Sequence, residues 1–276
     1  MSAFDAFRYD GRRALVVGGA TGMGAAVARL AVDAGADVTV MDRAPVEQAG
    51  VEVVPLDLSD RASVDAALES LGGRIDVLFS CAGVADGTPG IERINFIGHR
   101  YMIDRLVERG WLTRGGAIGM ISSAAGLGWE AELEPLRELL SIDDWDEAVA
   151  WVADHGKADY LSMKRAMCAY VAAQARPMLA RGIRINAVCP GPTDTPLARA
   201  NAEMWLDFGS DFRQDVGIEA STPEEQAAVL LFLCSDAARA VNGQTVVSDS
   251  GYLASGLAHS FEPAIPVAEF LYGRFG

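Results

Sequence analysis

The sequence predicts an α/β fold, a Rossmann-type doubly wound parallel sheet of about seven strands with helices on both faces. Three observations carry this expectation. Short runs rich in Val, Ile and Leu alternate with helix-length segments, several of these runs are apolar throughout, and the first ends in a glycine cluster that opens a helix. Strands that are apolar on both faces are covered on both faces, as in a parallel sheet between two helical layers. At 276 residues, with 50% hydrophobic and 22% charged, the chain is sized for one large domain, 1–276. That balance excludes disordered, collagen-like and disulfide-framework classes.

The strand runs fall at 14–18, 37–41, 51–55, 77–81, 117–122, 184–188 and 245–248, and helical patterns fill 24–34, 63–71, 91–109, 158–181 and 223–234. No repeat, low-complexity tract or linker interrupts them. Two stretches depart from the alternation. Residues 129–157 hold nine acids against two bases. There Ser141, Ile142, Asp143 and Asp144 read as a capping box, and Trp145, Ala148, Val149 and Val152 fall at helical spacing, giving two short helices with one acidic face. An ordinary surface insertion, an assembly surface and a substrate cover all remain open for it. In residues 197–220, Met204, Trp205, Leu206, Phe208, Phe212, Val216 and Ile218 punctuate polar residues. Such a stripe is either core or a lid over a bulky apolar ligand, and its place just after a strand end favours the lid. The tail, 252–276, carries Pro263, Pro266, Phe270 and Phe275 and is a candidate cover for a neighbouring subunit.

The formal charge of −15 repels phosphate backbones and anionic lipid headgroups, which argues against nucleic-acid and membrane-surface partners. The first eleven residues carry Asp5, Arg8 and Asp10 without an apolar run, so neither a secretory signal nor a membrane anchor is expected there. Cys81, Cys168, Cys189 and Cys234 lie scattered in apolar segments, which reads as reduced thiols in a cytoplasmic protein. His99, His155 and His259 have no partner at ligand spacing; each reads as a helix-surface or loop residue, and no metal is implied.

Gly18, Gly22 and Gly24, with Thr21 and Met23 between them, lie between a buried strand and a helix. Glycines let the backbone turn sharply and approach a pyrophosphate, and the free amides of the helix start attract its charge. The next strand ends at Asp42, where a carboxylate would meet adenosine ribose hydroxyls and repel a 2′-phosphate; NAD is therefore expected over NADP, although Arg43 follows. Asp57 and Leu58 close the third strand and are candidates for the adenine edge, with a helix cap as the other role for Asp57.

Tyr160 and Lys164 stand four residues apart on one helical face. A phenol with an ordinary pKa near 10 is a poor base at neutral pH, but a neighbouring cation favours phenolate. Depressing it far enough needs about 3 to 4 kcal/mol, which Lys164 together with a positively charged nicotinamide is expected to supply. Ser123 ends a buried strand, where its hydroxyl could meet a substrate carbonyl or simply cap a turn. Asn95 is a mediocre helix former inside a helical pattern, suited to bonding backbone or a water leading to Lys164. Pro190, Gly191, Thr193 and Thr195 follow another strand end, where a rigid backbone and the Thr195 hydroxyl could hold a carboxamide.

The glycine turn, Cys81-Ala82-Gly83, Asn95, Ser123, Tyr160 with Lys164, and Pro190-Gly191 with Thr195 together resemble the short-chain dehydrogenase/reductase family over about residues 12–251. The long interval before Tyr160 is similar to that of its bacterial hydroxysteroid dehydrogenase/carbonyl reductase subgroup. The resemblance implies Tyr160 as acid/base, Lys164 as the cation that lowers its pKa and holds the nicotinamide ribose, Ser123 as the substrate-orienting hydroxyl and Asn95 as anchor of a relay water. Cofactor contacts are implied for the glycine turn, Cys81, Ala82, Gly83 and the Pro190 segment. Against the family pattern, Val17 replaces a Thr, Cys81 an Asn and Ser250 a Gly, which puts local backbone hydrogen bonds in question. A homo-oligomer, dimer or tetramer, is expected, although the subgroup's insertion alters the customary subunit contact. The expected function is NAD-dependent interconversion of a secondary alcohol and a ketone on a bulky hydrophobic substrate, a hydroxysteroid or a cyclic or aromatic ketone, shaped by Val84, Trp129, Met204 and Trp205. The alternatives are cofactor-independent dehalogenase or lyase chemistry on the same scaffold and a nucleotide sensor without turnover.

Overall fold

The computed structural model describes residues 3–273, so Phe275 of the tail lies outside the described residues. Seven strands form one parallel sheet: β1 (Arg13–Val17), β2 (Asp37–Asp42), β3 (Val51–Pro55), β4 (Ile75–Ser80), β5 (Leu112–Ile121), β6 (Arg184–Pro190) and β7 (Thr245–Ser248), in the order β3-β2-β1-β4-β5-β6-β7. The order reverses beside β1, so the crevice between the carboxyl ends of β1 and β4 is where this architecture accepts a ligand. Register fixes what meets there. Val17 lies beside Met41 on one side and Ser80 on the other, which brings Gly18, Asp42 and Cys81 to the same edge.

Two apolar layers clamp the sheet. On one face α1 (Gly22–Asp33) and a later helix, Pro223–Cys234, bury Val27, Ala31, Leu230 and Leu233 against Val16, Val40 and Phe79. On the other, α2 (Arg61–Leu71), α3 (Gly98–Glu108) and the long α6 (Tyr160–Ala180) cover Leu15, Leu78, Ile118 and Ile185. Among the described residues, no helix is long and apolar enough to cross a membrane.

The segment expected as one helix over 91–109 is divided: a π-helical turn, Arg93–Ile97, precedes α3. One extra residue per turn re-aims the side chains there, and Asn95 sits in that turn. The insertion holds a short 3₁₀ turn, Trp129–Glu132, then α4 (Leu133–Leu140) and α5 (Trp145–Asp154). The expected capping box is corrected by the structure: Ser141 ends α4, and Asp144 caps α5 by accepting from the amides of Asp146 and Glu147. The Asp144 carboxylate, three residues further along, reaches the free amides that Ser141 cannot. The insertion is stitched to the body by Arg100, which donates to the carbonyls of Leu139 and Ile142, and by Tyr101, whose ring meets Trp145 edge-on at 5.5 Å.

Past β6 come α7 (Pro196–Arg199), α8 (Ala202–Trp205), α9 (Ser210–Val216), α10 (the Pro223–Cys234 helix), α11 (Tyr252–Leu257) and α12 (Ile265–Tyr272). The tail packs on its own chain: Tyr252, Leu253, Ala268 and Leu271 are buried with Phe212 and Leu127, and Tyr252 meets Phe208 and Phe212 ring to ring. Ser250 holds φ of 58°, the left-handed turn a glycine would supply, and Cys81 keeps its sheet bond to the Val17 carbonyl at 2.8 Å. At these two departures the left-handed turn and the sheet hydrogen bond are both present.

Candidate active site

The carboxyl ends of β1, β2 and β4 enclose a groove of about 250 Å³ lined by Gly18, Thr21, Gly22, Met23 and Gly24, by Asp42, Asp57 and Leu58, and by Cys81, Ala82, Gly83 and Val84. The turn has no room for side chains: a Cβ on Gly18 would lie 2.4 Å from the Ala82 backbone, and one on Gly24 1.9 Å from the Gly18 carbonyl. Thr21 is the N-cap of α1 yet makes no side-chain capping bond, so the first amides of that helix remain available to an anion in the groove. Asp42 is fixed by two amides, Ala20 at 2.9 Å and Ala44 at 2.8 Å, one on each oxygen. Each oxygen keeps lone-pair capacity for a hydroxyl donor. Arg43 reaches toward Asp57, 4.0 Å away, and Asp57 is held below the ordinary carboxylate range, chiefly by the Ser59 hydroxyl.

The groove continues through Met23, Cys81, Gly83, Thr195 and Leu197 into a second cavity of about 330 Å³. Ser123, Tyr160 and Lys164 line it, with Pro190, Gly191, Thr193 and Thr195 opposite. The sequence places them by simple means. Asp159 caps α6, accepting from the Ser162 amide at 2.8 Å and the Ser162 hydroxyl at 2.7 Å, which sets the helix phase so that Tyr160 and Lys164 share the cavity side. Lys164 is buried and donates to the Ile121 carbonyl at 3.0 Å. Its ammonium lies 5.4 Å from the centre of the Tyr160 ring.

In the chain without a nucleotide, burial governs both titrating groups. Burial pushes Tyr160 up to about 12; hydrogen bonding from Ser123 pulls it back, and the Asp86 charge adds to the rise. Burial also brings Lys164 down to about 8, against the partial support of Cys168, Cys189 and Cys81. In the chain by itself desolvation is the largest influence on both groups, and Tyr160 is a proton-bearing phenol at neutral pH. Ser123 caps the turn, its oxygen accepting from the Ala125 amide at 3.2 Å, and it lines the cavity beside the phenol.

Asn95 bonds backbone. Its Oδ1 accepts from the Val84 amide at 2.8 Å and its Nδ2 donates to the Val84 carbonyl at 2.9 Å. A Cβ on Gly83 would lie 3.5 Å from Asn95 Oδ1 and 3.6 Å from Lys164 Nζ, so Gly83 is the point where the two side chains converge. Thr193 donates to the Gly191 carbonyl, and the Thr195 hydroxyl oxygen caps α7 through the Ala198 amide, both at 3.0 Å.

Met204, Trp205, Phe208 and Leu161 complete the cavity, and Trp205 lies over Tyr160 with ring centres 5.0 Å apart. Two of the expected substrate residues are elsewhere. Trp129 packs between the main core and the tail cluster, because its turn is pressed against α12: a Cβ on Gly128 would lie 2.3 Å from the Leu271 carbonyl. Val84 lines the nucleotide-side groove instead of the substrate cavity, its backbone held by Asn95. The histidine reading is also corrected at one position. His99 is buried, with Nδ1 2.5 Å from the Ser80 hydroxyl and Nε2 3.0 Å from the Ala82 carbonyl. A carbonyl only accepts, so Nε2 carries the proton and Ser80 donates to Nδ1. Burial brings this imidazole down to about 4. Asp86, which no motif singled out, also lines the cavity. A histidine one turn beyond Asn95 in an apolar helix was a weak signal; Asp86 offered none.

Residues 12–134 match the family profile described as short chain dehydrogenase, and residues 147–253 match one described as Enoyl-(Acyl carrier protein) reductase. A coniferyl-alcohol dehydrogenase of Pseudomonas sp. is 30% identical over 250 residues, covering 87% of this chain and 96% of that protein. A cis-4-hydroxycyclohexanecarboxylate dehydrogenase of Sinomonas cyclohexanicum is 31% identical over 257 residues, covering 88% and 97%. Among solved structures, the 3-alpha-hydroxysteroid dehydrogenase from Pseudomonas sp. B-0831 complexed with NADH superposes with a TM-score of 0.71 at 28% identity, covering 90% of this chain and 98% of that one. The chain belongs to the short-chain dehydrogenase/reductase family of oxidoreductases and has hydroxysteroid dehydrogenases among its relatives.

Proposed function

We propose that this oxidoreductase interconverts a secondary alcohol and a ketone with NAD, on a bulky and largely apolar substrate. The observation that carries the reading is the meeting of Ser123, Tyr160 and Lys164 in a cavity continuous with the groove beneath the glycine turn. The glycine cradle, which a single Cβ would fill, and the uncapped start of α1 fit a pyrophosphate. A bound nicotinamide dinucleotide supplies or accepts the hydride. Asp42 would take the adenosine ribose hydroxyls, Asp57 and Leu58 would border the adenine, and Thr195 would hold the carboxamide. Ser123 would orient the substrate oxygen, and Tyr160 Oη would give its proton to the developing alkoxide or receive it from the alcohol. Lys164 would steady the charge on that oxygen, with Asn95 keeping the Gly83 wall in place and anchoring a relay water.

NAD is favoured because a 2′-phosphate would meet the Asp42 carboxylate, while Arg43 leans toward Asp57. The apolar cover of Met204, Trp205 and Phe208 supports a ring-bearing substrate, and the relatives named for coniferyl alcohol and hydroxysteroids agree with it. Four free thiols suit a reducing, cytoplasmic setting. The test is calorimetric titration with NAD and NADP, followed by absorbance at the reduced-nicotinamide band over a panel of steroid, cyclic and aryl alcohols and ketones. NAD binding with turnover is expected. Binding without turnover on any member would turn the assignment to a nucleotide sensor, and no binding would turn it to cofactor-free chemistry.

A further inference from the structure

The substrate cavity has a charge character that proton transfer does not require. Its described lining contains one carboxylate, the solvent-exposed Asp86, and one cation, Lys164. Lys164 is buried and already donates to the Ile121 carbonyl. Among the described residues, four cations on neighbouring elements are engaged elsewhere. Arg199 is held by both oxygens of Asp194, at 2.6 and 2.8 Å. Arg213 donates to the carbonyls of Phe208 and Leu206, and Arg165 and Lys157 both pair with Glu132. The amino end of α6, which opens on the cavity, would ordinarily attract an anion. It is taken: Asp159 caps it, and Asp86 Oδ1 accepts from the Tyr160 amide at 2.6 Å.

We propose that this cavity selects uncharged ring alcohols and ketones and rejects carboxylate-bearing ones, with Asp86 as the specificity-determining residue. The proposal rests on the oxidoreductase reading above and adds a substrate class to it. An anionic substituent entering here would lose water against Met204, Trp205 and Phe208, would find among the described lining residues no cation besides the buried Lys164, and would share the cavity with the like charge of Asp86. A neutral ester of the same shape meets none of these costs. The chain would thus part from its relative named for a hydroxycyclohexanecarboxylate.

The test uses the full chain, saturating NADH, and a matched keto acid and methyl ester built on whichever ring ketone of the panel is turned over fastest. For a cyclohexanone the pair is 4-oxocyclohexanecarboxylate and its methyl ester. At pH 7 the ester should exceed the acid in kcat/KM by roughly tenfold or more, mainly through KM. Asp86→Asn keeps an acceptor for the Tyr160 amide, and it should bring the ratio toward unity with its melting midpoint near that of the parent. Equal kcat/KM for ester and acid in the parent, or a ratio unmoved in Asp86→Asn, overturns the charge assignment and leaves oxidoreduction standing. Absence of nicotinamide-dependent turnover across the whole panel overturns the oxidoreductase reading beneath it.

Discussion

The floor of the cleft and its cover are built on opposite plans. On the floor, Asn95, His99, Ser122 and Lys164 are at most 3% exposed, and their polar atoms are bonded to backbone or to the buried side chains of Ser80 and Cys168. These groups sit on α3 and α6, in the π turn before α3 and at the end of β5, packed in the core where moving one side chain breaks several contacts. The cover is three helices of four, four and seven residues, with Met204 70% and Val216 47% exposed. Helices this short have little stability of their own and hold their place by a few apolar contacts. The contrast teaches that, on the proposed function, chemistry would be anchored in the buried half and substrate choice left to the half that can yield.

The largest effect should come from the floor. Tyr160→Phe removes the proton-bearing oxygen and keeps the ring against Trp205, so kcat should fall by about a thousandfold or more while NAD titrates as before. A variant that keeps more than about a tenth of parental kcat would put the proton transfer elsewhere.

Next is the response of the floor to acid. His99 stands near 4 in the folded chain, below its ordinary value of 6.5. Between those pH values the unfolded chain takes up a proton that the folded one refuses. Stability is therefore unaffected by this group above about pH 6.5 and declines as pH falls toward 4, by on the order of 3 kcal/mol in total. Urea melts of the parent and of His99→Gln across pH 4 to 7 measure it. The acid limb should be shallower in the variant, and parallel limbs would show that the buried imidazole is not the group responsible.

A smaller change is expected at the groove's far end. Asp42→Ala should raise the NADP-to-NAD ratio of kcat/KM by on the order of thirtyfold, since the carboxylate and a 2′-phosphate are like charges a few ångströms apart. An unaltered ratio would remove Asp42 from nucleotide choice.

The smallest belongs to the cover. Trp205→Ala should raise KM for a bulky ring substrate by about tenfold and leave kcat within a factor of about three, because only area over the substrate is lost. If kcat fell as steeply as in Tyr160→Phe, the cover would belong to the catalytic floor and the contrast between the halves would fail.

How far the site can be read from the sequence follows the same division. The glycine turn and the Tyr160 and Lys164 pair are local: spacing along one strand, turn or helix fixes which side chains share a face. Asn95 was legible as a residue out of place in a helix, though its bonds to Val84 depend on a π turn that periodicity does not reveal. His99 was misread as a surface residue because its partners, Ser80 and Ala82, come from another strand end. Trp129 was assigned to the substrate, but the tail draws its turn away from the cavity.

By itself the sequence determined the doubly wound sheet, the glycine turn and the shared helical face of Tyr160 and Lys164, because each follows from short-range periodicity and from glycine's missing side chain. Tertiary structure alone decided that Asp86 faces the substrate cavity, that Trp205 lies over Tyr160 and that the phenol stands above its ordinary pKa. Those outcomes depend on desolvation and on contacts between segments far apart in the chain, quantities that exist only once the core has excluded water.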